Sequence, residues 1–364
     1  MKISDLTKYL ETLAPLSLQE NYDNAGLLVG DANTEVNAVL VSLDSTEDVV
    51  DEAISLGCNL IVAHHPIIFS GLKKINGKNY VERTVIKAIK NDVALYAMHT
   101  NLDNVAEGVN KKIAEQIGLK NVRILSSKNS LLKKLVTFVP IQHLEKVQQA
   151  VFDAGAGQIG NYSACGFIVE GNGTFNANEN ANPFVGQKGA LHSEKETRFE
   201  TIFPVWLQEK IIAALKSSHP YEEVAFDIYP LENNFNQVGS GMIGELETAM
   251  NPMEFLSHLK KNLELEMIRY TPIDKAVKTV AICGGAGSFL LKNAIAANAD
   301  AFVTADFKYH EFFDAENKLM IADVGHFESE KFTKELIADL IIKKIPTFAV
   351  HLSKVNTNPI KYFY

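Results

Sequence analysis

The strongest constraint on the fold is a pattern of strand, helix and strand that occurs once in each half of the chain. Val39–Asp44 aligns with Val280–Gly285, and Asn59–His65 aligns with Asp300–Asp306, although few residues are identical. A helix-like stretch separates the two apolar runs in both halves. Two successive strands joined by a helix form a parallel pair with a right-handed crossover. The sequence therefore predicts an α/β fold in which two similar α/β halves bring their polar motifs to one cleft.

The segment between the halves has a different pattern. It contains four predicted strands, at Leu135–Val139, Tyr162–Val169, Arg198–Phe203 and Ala225–Tyr229, and two predicted helices, at Leu144–Ala154 and Trp206–Lys216. This order is a β-α-β unit repeated, as in ferredoxin-like α+β domains. We therefore expect three domains: a first α/β half at 1–125, an insert at 126–234 and a second α/β half at 235–364. Within the insert, Asn172–Asn182 is predicted to be a mobile loop and not a site.

Two adjacent histidines, His64 and His65, follow the apolar run Asn59–Ala63 and precede Pro66. Ligands of open α/β sheets bind beyond the carboxyl ends of the strands, so this position favours a metal site. Neighbouring side chains of a strand point to opposite faces, so both rings can serve one site only if the backbone leaves strand geometry at His64. A surface or hydrogen-bonded histidine pair is the alternative interpretation.

Three further candidate ligands also follow apolar runs. His326 and Glu330 are four residues apart, a spacing that places both on one face of a helix and suits metal binding. The apolar spacing of Lys331–Lys344 predicts a helix with Glu330 in its first turn. Asp103 follows the strand-like run Val93–Met98. A turn or capping role for Asp103 and a solvated role for Glu330 remain open alternatives.

Composition and charge exclude some classes of function. The net charge of −9 argues against broad binding to the phosphate backbone of nucleic acids. The three cysteines lack CxxC spacing and are typical of reduced residues in a cytosolic protein, which predicts a cytoplasmic location. The first residues predict an amphipathic helix at 5–13, capped by Ser4, and not a signal peptide. No apolar run reaches transmembrane length, so no membrane partner is expected.

Several motifs in both halves resemble the dinuclear-metal-centre family of GTP cyclohydrolase I type 2 homologues, related to the Ngg-interacting factor. They are Tyr22–Leu27, Ala63–Pro66, His99–Asp103, Thr304–His310 and Gly325–Glu330. The insert, through Gly160–Ser163 and His219–Glu222, resembles the nitrogen-regulatory PII-like domain of longer members. The resemblance implies a homohexameric ring and two divalent ions held by five residues. In this assignment His65 and Asp103 hold one ion, His64 and His326 hold the other, and Glu330 bridges both.

Nitrogen and oxygen donors of this kind suit Zn, Fe, Mn, Co or Ni. Open coordination positions and a metal-bridging hydroxide would permit hydrolysis. The resemblance implies a hydrolase acting on GTP or a related nucleotide, and the alternative is a non-catalytic metal-binding or regulatory ring. Asp306 and His310 could relay protons, orient substrate or have a structural role. Gly284–Ser288 could bind a phosphate through its amides or serve close packing. No separate site for an organic cofactor is predicted.

Overall fold

The computed structural model describes residues 1–363 and divides the chain into two compact units. The first unit combines Met1–Ser127 with the chain from Asn236 onward, and the second is Lys128–Phe235. The strands are β1 (Gly26–Val29), β2 (Val39–Ser42), β3 (Leu60–Ala63), β4 (Ala94–Ala97), β5 (Lys120–Ser127), β6 (Leu132–Pro140), β7 (Gly166–Asn176), β8 (Leu191–Pro204), β9 (Phe226–Leu231), β10 (Gly239–Met250), β11 (Arg269–Tyr270), β12 (Val277–Ala286), β13 (Ala301–Ala305), β14 (Met320–Asp323) and β15 (Val350–Leu352).

The helices connect these strands. They are α1 (Ile3–Leu13), α2 (Glu47–Ser55), α3 (Tyr80–Lys90), α4 (Thr100–Asp103), α5 (Val109–Gln116), α6 (Leu144–Asp153), α7 (Gln208–Ser218), α8 (Pro252–Asn262), α9 (Leu291–Ala296), α10 (His326–Glu330) and α11 (Thr333–Lys344). Among the described residues, no helix is both long enough and apolar enough to cross a membrane.

The first unit contains two sheets with parallel centres. Their strand orders are β1-β4-β3-β2-β15 and β11-β14-β13-β12-β10-β5. The pairs β2–β3 and β12–β13 are parallel, which confirms the strand, helix and strand units predicted in both halves. The edge strands cross between halves, because β15 from the end of the chain pairs with β2 and β5 from the first half pairs with β10. Mixed α/β architecture with several sheets is therefore confirmed.

The central strands are buried along their whole length. All four residues of β2, β3 and β4 are buried. Strands covered on both faces have continuous apolar runs, which explains the sequence pattern. One apolar cluster joins both sheets and includes Leu10, Val62, Ile113, Phe255 and Val303. This shared core fixes the two carboxyl-terminal sheet edges relative to each other.

The second unit has the order β-α-β-β-α-β, with α6 and α7 on one face of the antiparallel sheet β7-β8-β6-β9. Its helices and strands overlap the predicted positions. One prediction is wrong: residues 172–176 of the expected mobile loop belong to β7 and pair with β8 as far as Asn176↔Leu191. The local sequence is rich in Gly and Asn, but main-chain pairing along the hairpin stabilises the strand.

Two predicted helix ends also differ from the structure. The first helix begins at Ile3 with Lys2 as its N-cap, and Ser4 lies inside the helix. Burial of Ile3 and a hydrogen bond from the Lys2 amide to the Asp5 carboxylate explain the earlier start. Glu330 is the last residue of α10 and does not lie in the first turn of α11.

Candidate metal centre

His64 and His65 lie in the loop immediately after β3. Their backbone N–H groups both donate to the Leu43 carbonyl, at 3.1 and 2.9 Å, so the backbone has left the alternation of the strand. The two ring centroids are 4.8 Å apart. The sequence required the backbone to leave strand geometry at His64 if both imidazoles were to face one cleft. The structure shows this departure, in the turn that precedes Pro66.

Glu330 lies at the centre of the cleft. Its Oε2 is 2.9 Å from Nε2 of His65 and 3.1 Å from Nε2 of His326. Its Oε1 is 3.8 Å from Nε2 of His64. The contact with His326 is the four-residue pairing that the sequence predicted, made within the short helix α10. Only 3% of Glu330 is exposed, so the carboxylate depends on these neighbours for its polar contacts.

Each of the three imidazoles is held through its Nδ1. The partners are the Met98 carbonyl for His64 at 2.7 Å, Asp44 for His65 at 2.7 Å and Asp306 for His326 at 2.6 Å. A carbonyl or carboxylate can only accept, so each Nδ1 carries the proton and each Nε2 faces the cleft. Metal-binding histidines are commonly oriented in this way.

Two buried polar atoms show that the site suits a cation. Within residues 1–363, Nε2 of His64 and Oδ1 of Asp103 are buried without a hydrogen-bond partner, although they lie 3.7 Å apart. An unsatisfied buried polar atom costs about 1–3 kcal/mol. Ligand atoms of His64, His65 and Glu330 all lie within 4.8 Å of one another. A divalent cation would satisfy this donor set, so the residues fit a metal ion.

The pKa values reflect the crowding of charge. Burial alone would lower the pKa of His65, but hydrogen bonds to Asp44 and Glu330 raise it to about 9. The pKa of His326 rises to about 11, since Glu330 and Asp306 outweigh its burial. Burial and the nearby Glu330 raise the pKa of Asp103. The carboxylates thus attract positive charge to the Nε2 positions, whether it arrives as a proton or as a metal cation.

The structure adds a fourth imidazole that the sequence reasoning did not select. The centroid of the His99 ring lies 5.4 Å from that of His64 and 5.5 Å from that of His65. His99 also lines the cleft. Its Nδ1 donates to Asp23 at 2.7 Å. Burial would raise the pKa of Asp23, but hydrogen bonds from His99 and Thr100 lower it to about 2. Asp23 and His99 belong to the motifs Tyr22–Leu27 and His99–Asp103, and this membership was the signal in the sequence.

Asp306 and His310 separate in the structure. Asp306 has a left-handed backbone, with φ +59°, and orients His326. Such conformations in non-glycine residues often mark functional sites. His310 is exposed and contacts the rings of Tyr309 and Phe313. No contact described within residues 1–363 joins His310 to the candidate ligands.

The segment Gly284–Ser288, a candidate phosphate cradle, begins within β12, and two of its amides have partners inside the protein. The amide of Gly284 donates to Asn110 and that of Gly285 donates to Ser329, at 2.9 and 3.0 Å. Both donors are therefore already used. Gly285 instead permits close packing, because a Cβ at this position would lie 2.5 Å from Oε1 of Glu330.

The distances group the candidate ligands differently from the resemblance. His64 and Asp103 lie nearest to each other on the Oε1 side of Glu330, whereas His65 and His326 lie on the Oε2 side. The division of the residues between two ions therefore stays a prediction. In both arrangements Glu330 lies between the two groups of ligands.

Comparisons with known proteins agree over nearly the whole chain. The family model Duf34/NIF3 (NGG1p interacting factor 3) matches residues 1–359. The chain is 41% identical to a GTP cyclohydrolase 1 type 2 homolog of Halalkalibacterium halodurans, with 100% of both covered. A homolog of the same name from Bacillus subtilis is 38% identical, with 98% of this chain and 97% of the homolog covered.

Solved structures give the same result. A Bacillus cereus protein related to NIF3 superposes with a TM-score of 0.89 at 40% identity, covering 100% of this chain and 99% of that one. Staphylococcus aureus protein SA1388 gives a TM-score of 0.79 at 32% identity, with the same coverage. Sequence and structure together show that the chain belongs to the Duf34/NIF3 (NGG1p interacting factor 3) family.

Proposed function

We propose that this protein is a hydrolase that uses two divalent metal ions and acts on GTP or a related nucleotide. The observation that carries the proposal is the convergence of three oriented imidazoles and two carboxylates on one cleft. The GTP cyclohydrolase 1 type 2 homolog name of several relatives supports a nucleotide substrate. A name alone does not transfer an activity, so the substrate needs a direct test.

In this proposal His64, His65, Asp103, His326 and Glu330 hold the two ions. Both carboxylate oxygens of Glu330 face imidazole Nε2 atoms, which suits a carboxylate shared between two ions. Divalent ions bound there would polarise the substrate and acidify water. The contribution of the protein is to hold the three imidazoles in place, through Met98, Asp44 and Asp306, before any ion binds.

His99 is the proposed proton-transfer residue. Asp23 accepts the Nδ1–H of His99, so the neutral form of this imidazole offers its Nε2 as the acceptor for a proton from an attacking water. The same atom can then return the proton to the leaving group.

The shape of the cleft suits a nucleotide. Its cavity has a volume of about 410 Å³, within the usual range for small-molecule sites. Exposed aromatic rings of Tyr22, Phe69 and Phe289 line it, and the centroids of Tyr22 and Phe69 are 6.2 Å apart. Such rings stack against nucleobases. We infer that the base lies among these rings and the reacting group near His99.

The test is to reload the protein separately with Zn and Mn and to incubate it with GTP and a nucleotide panel. Products are identified by mass. Formate release with a pterin triphosphate would establish a cyclohydrolase, and release of phosphate or a nucleoside monophosphate would establish a phosphohydrolase. Activity must disappear in His64→Ala and persist in His351→Gln, which changes a histidine of β15 outside the cleft. No turnover by protein with two ions bound would contradict the proposal.

A second candidate is a non-catalytic metal-binding or regulatory ring of six subunits with PII-like inserts. A separate cavity of about 580 Å³ within the second unit favours it. The hexamer itself is a prediction from the resemblance, and light scattering of the full chain in solution would test it. A monomer would contradict the ring.

A further inference from the structure

A cavity of about 580 Å³ lies within the second unit, on the sheet face opposite α6 and α7. Strand alternation explains the two faces. Phe199 and Phe203 of β8 point into the core beneath the helices. Glu196 and Arg198 lie at the alternate positions of β8, so they point to the opposite face of the sheet. They line the cavity beside Phe138 of β6. This sheet face, which in other antiparallel sheets often meets solvent, here forms the floor of a cavity that is open on one side.

Two glycines of β7 leave part of this floor without side chains. Gly171 pairs with Glu196, and a Cβ added to Gly171 would meet no atom within 4 Å. A Cβ at Gly173 would lie 2.0 Å from Oε2 of Glu196, so this carboxylate lies against the bare backbone. Any larger residue at 173 would force Glu196 to move. The start of the segment expected to be a loop therefore provides part of the floor of this cavity.

Aromatic rings form the walls. Tyr221 lies 6.3 Å from Phe175 and 6.1 Å from Phe184 between ring centroids, and Phe138 completes the group. A hydrogen bond holds the loop that carries Phe184, because the amide of Asn182 donates to the Glu222 carboxylate at 2.7 Å. Four rings thus surround one space.

The charge inside this space is negative. Glu196 is only 8% exposed, and its Oε1 accepts the Tyr221 hydroxyl at 2.8 Å. Among the lining residues that the structure describes, Arg198 is the one basic side chain, and its Nε donates to Glu200 at 2.7 Å. Glu200 also accepts from Lys134 at 3.0 Å, so it offsets the charge of Arg198 only in part. Glu170, Glu222 and Glu223 also line the cavity, so acidic groups predominate.

We propose that this cavity binds a small organic ammonium ion that carries an aromatic or apolar group. Aromatic rings around a buried carboxylate are the arrangement that recognises alkylated ammonium groups, through cation–π attraction and charge. The volume of about 580 Å³ suits a molecule of this class and not a bare ion. The site shares no residue with the metal cleft, so it does not depend on the proposed hydrolase activity.

The test titrates the full-length protein with benzyltrimethylammonium by calorimetry at low salt. Benzenesulfonate, of similar size and opposite charge, is the matched ligand control. We expect the cation to bind at least about tenfold more tightly than the anion. Glu196→Gln keeps the shape of the side chain and removes its charge, and it should weaken binding about tenfold. Glu209→Gln removes an equal charge from the exposed surface of α7 and should have no effect.

A second variant tests the location of the site. Gly171→Leu places a side chain in open space, so it should fill the cavity without disturbing the fold and abolish binding. Circular dichroism checks that each variant is folded. Absence of cation binding up to about 5 mM, equal binding of the anion, or unchanged binding by Gly171→Leu would each overturn the proposal.

Discussion

Asp44 accepts the Nδ1–H of His65 at 2.7 Å and also accepts the hydroxyl of Thr357 from the C-terminal segment. It touches no other candidate ligand directly, so its replacement tests the positioning of one imidazole. Loss of such a partner typically costs about 10- to 100-fold in metal affinity, or about 1.4–2.7 kcal/mol. We expect Asp44→Asn, which keeps an oxygen acceptor, near the lower limit and Asp44→Ala near the upper limit.

Competition with a chromogenic zinc chelator measures this loss, and thermal unfolding of the metal-free protein reports any general damage. Asp51→Asn is the matched control, because Asp51 is an exposed partner of Lys87 and does not line the cleft. Unchanged zinc affinity in both Asp44 variants would refute the positioning argument. An equal loss in Asp51→Asn would refute it too, because the effect would then come from total charge.

Three further predictions concern backbone, acidity and core. Gly285→Ala should reduce bound metal measured by mass spectrometry, because the new Cβ meets Glu330 and the residue has a φ of +60°; full metal content would contradict this. Burial lowers the pKa of His219, whose Nδ1 accepts from the Tyr221 amide. The pKa of His219 in the folded protein then lies below the unfolded value near 6.5. The stability that neutral His219 contributes above pH 6.5 is therefore lost as the pH falls below that value. Melting curves at decreasing pH should show this loss, and His219→Gln should make the loss smaller. Phe199→Ala should lower the free energy of unfolding of the inserted unit by about 3–5 kcal/mol in urea titrations, and a loss under about 1 kcal/mol would show that the core refills.

Local sequence signals predicted the parts of the site that local geometry determines. The run before His64 predicted a buried strand, and the four-residue spacing predicted the contact between His326 and Glu330. Parallel pairing followed from the strand, helix and strand order in both halves. These features depend on neighbours within a few residues or on one crossover connection.

Other features depend on contacts between distant segments, which no local pattern determines. The exchange of β5 and β15 between the halves requires the whole chain to be folded. His99 becomes a candidate only when Asp23, 76 residues away in sequence, is seen to hold its Nδ1. The cavity of the inserted unit likewise needs the β7–β8 hairpin, whose Gly-rich part lacks a strand pattern of its own.

The most direct test of the metal centre is to count ions by native mass spectrometry after the protein has been loaded with zinc and excess metal removed. We expect two ions per chain in the wild type and loss of both in Glu330→Gln, because this carboxylate lies between the two groups of ligands. A wild-type chain without bound zinc, or a Glu330→Gln chain with the full number of ions, would contradict the account.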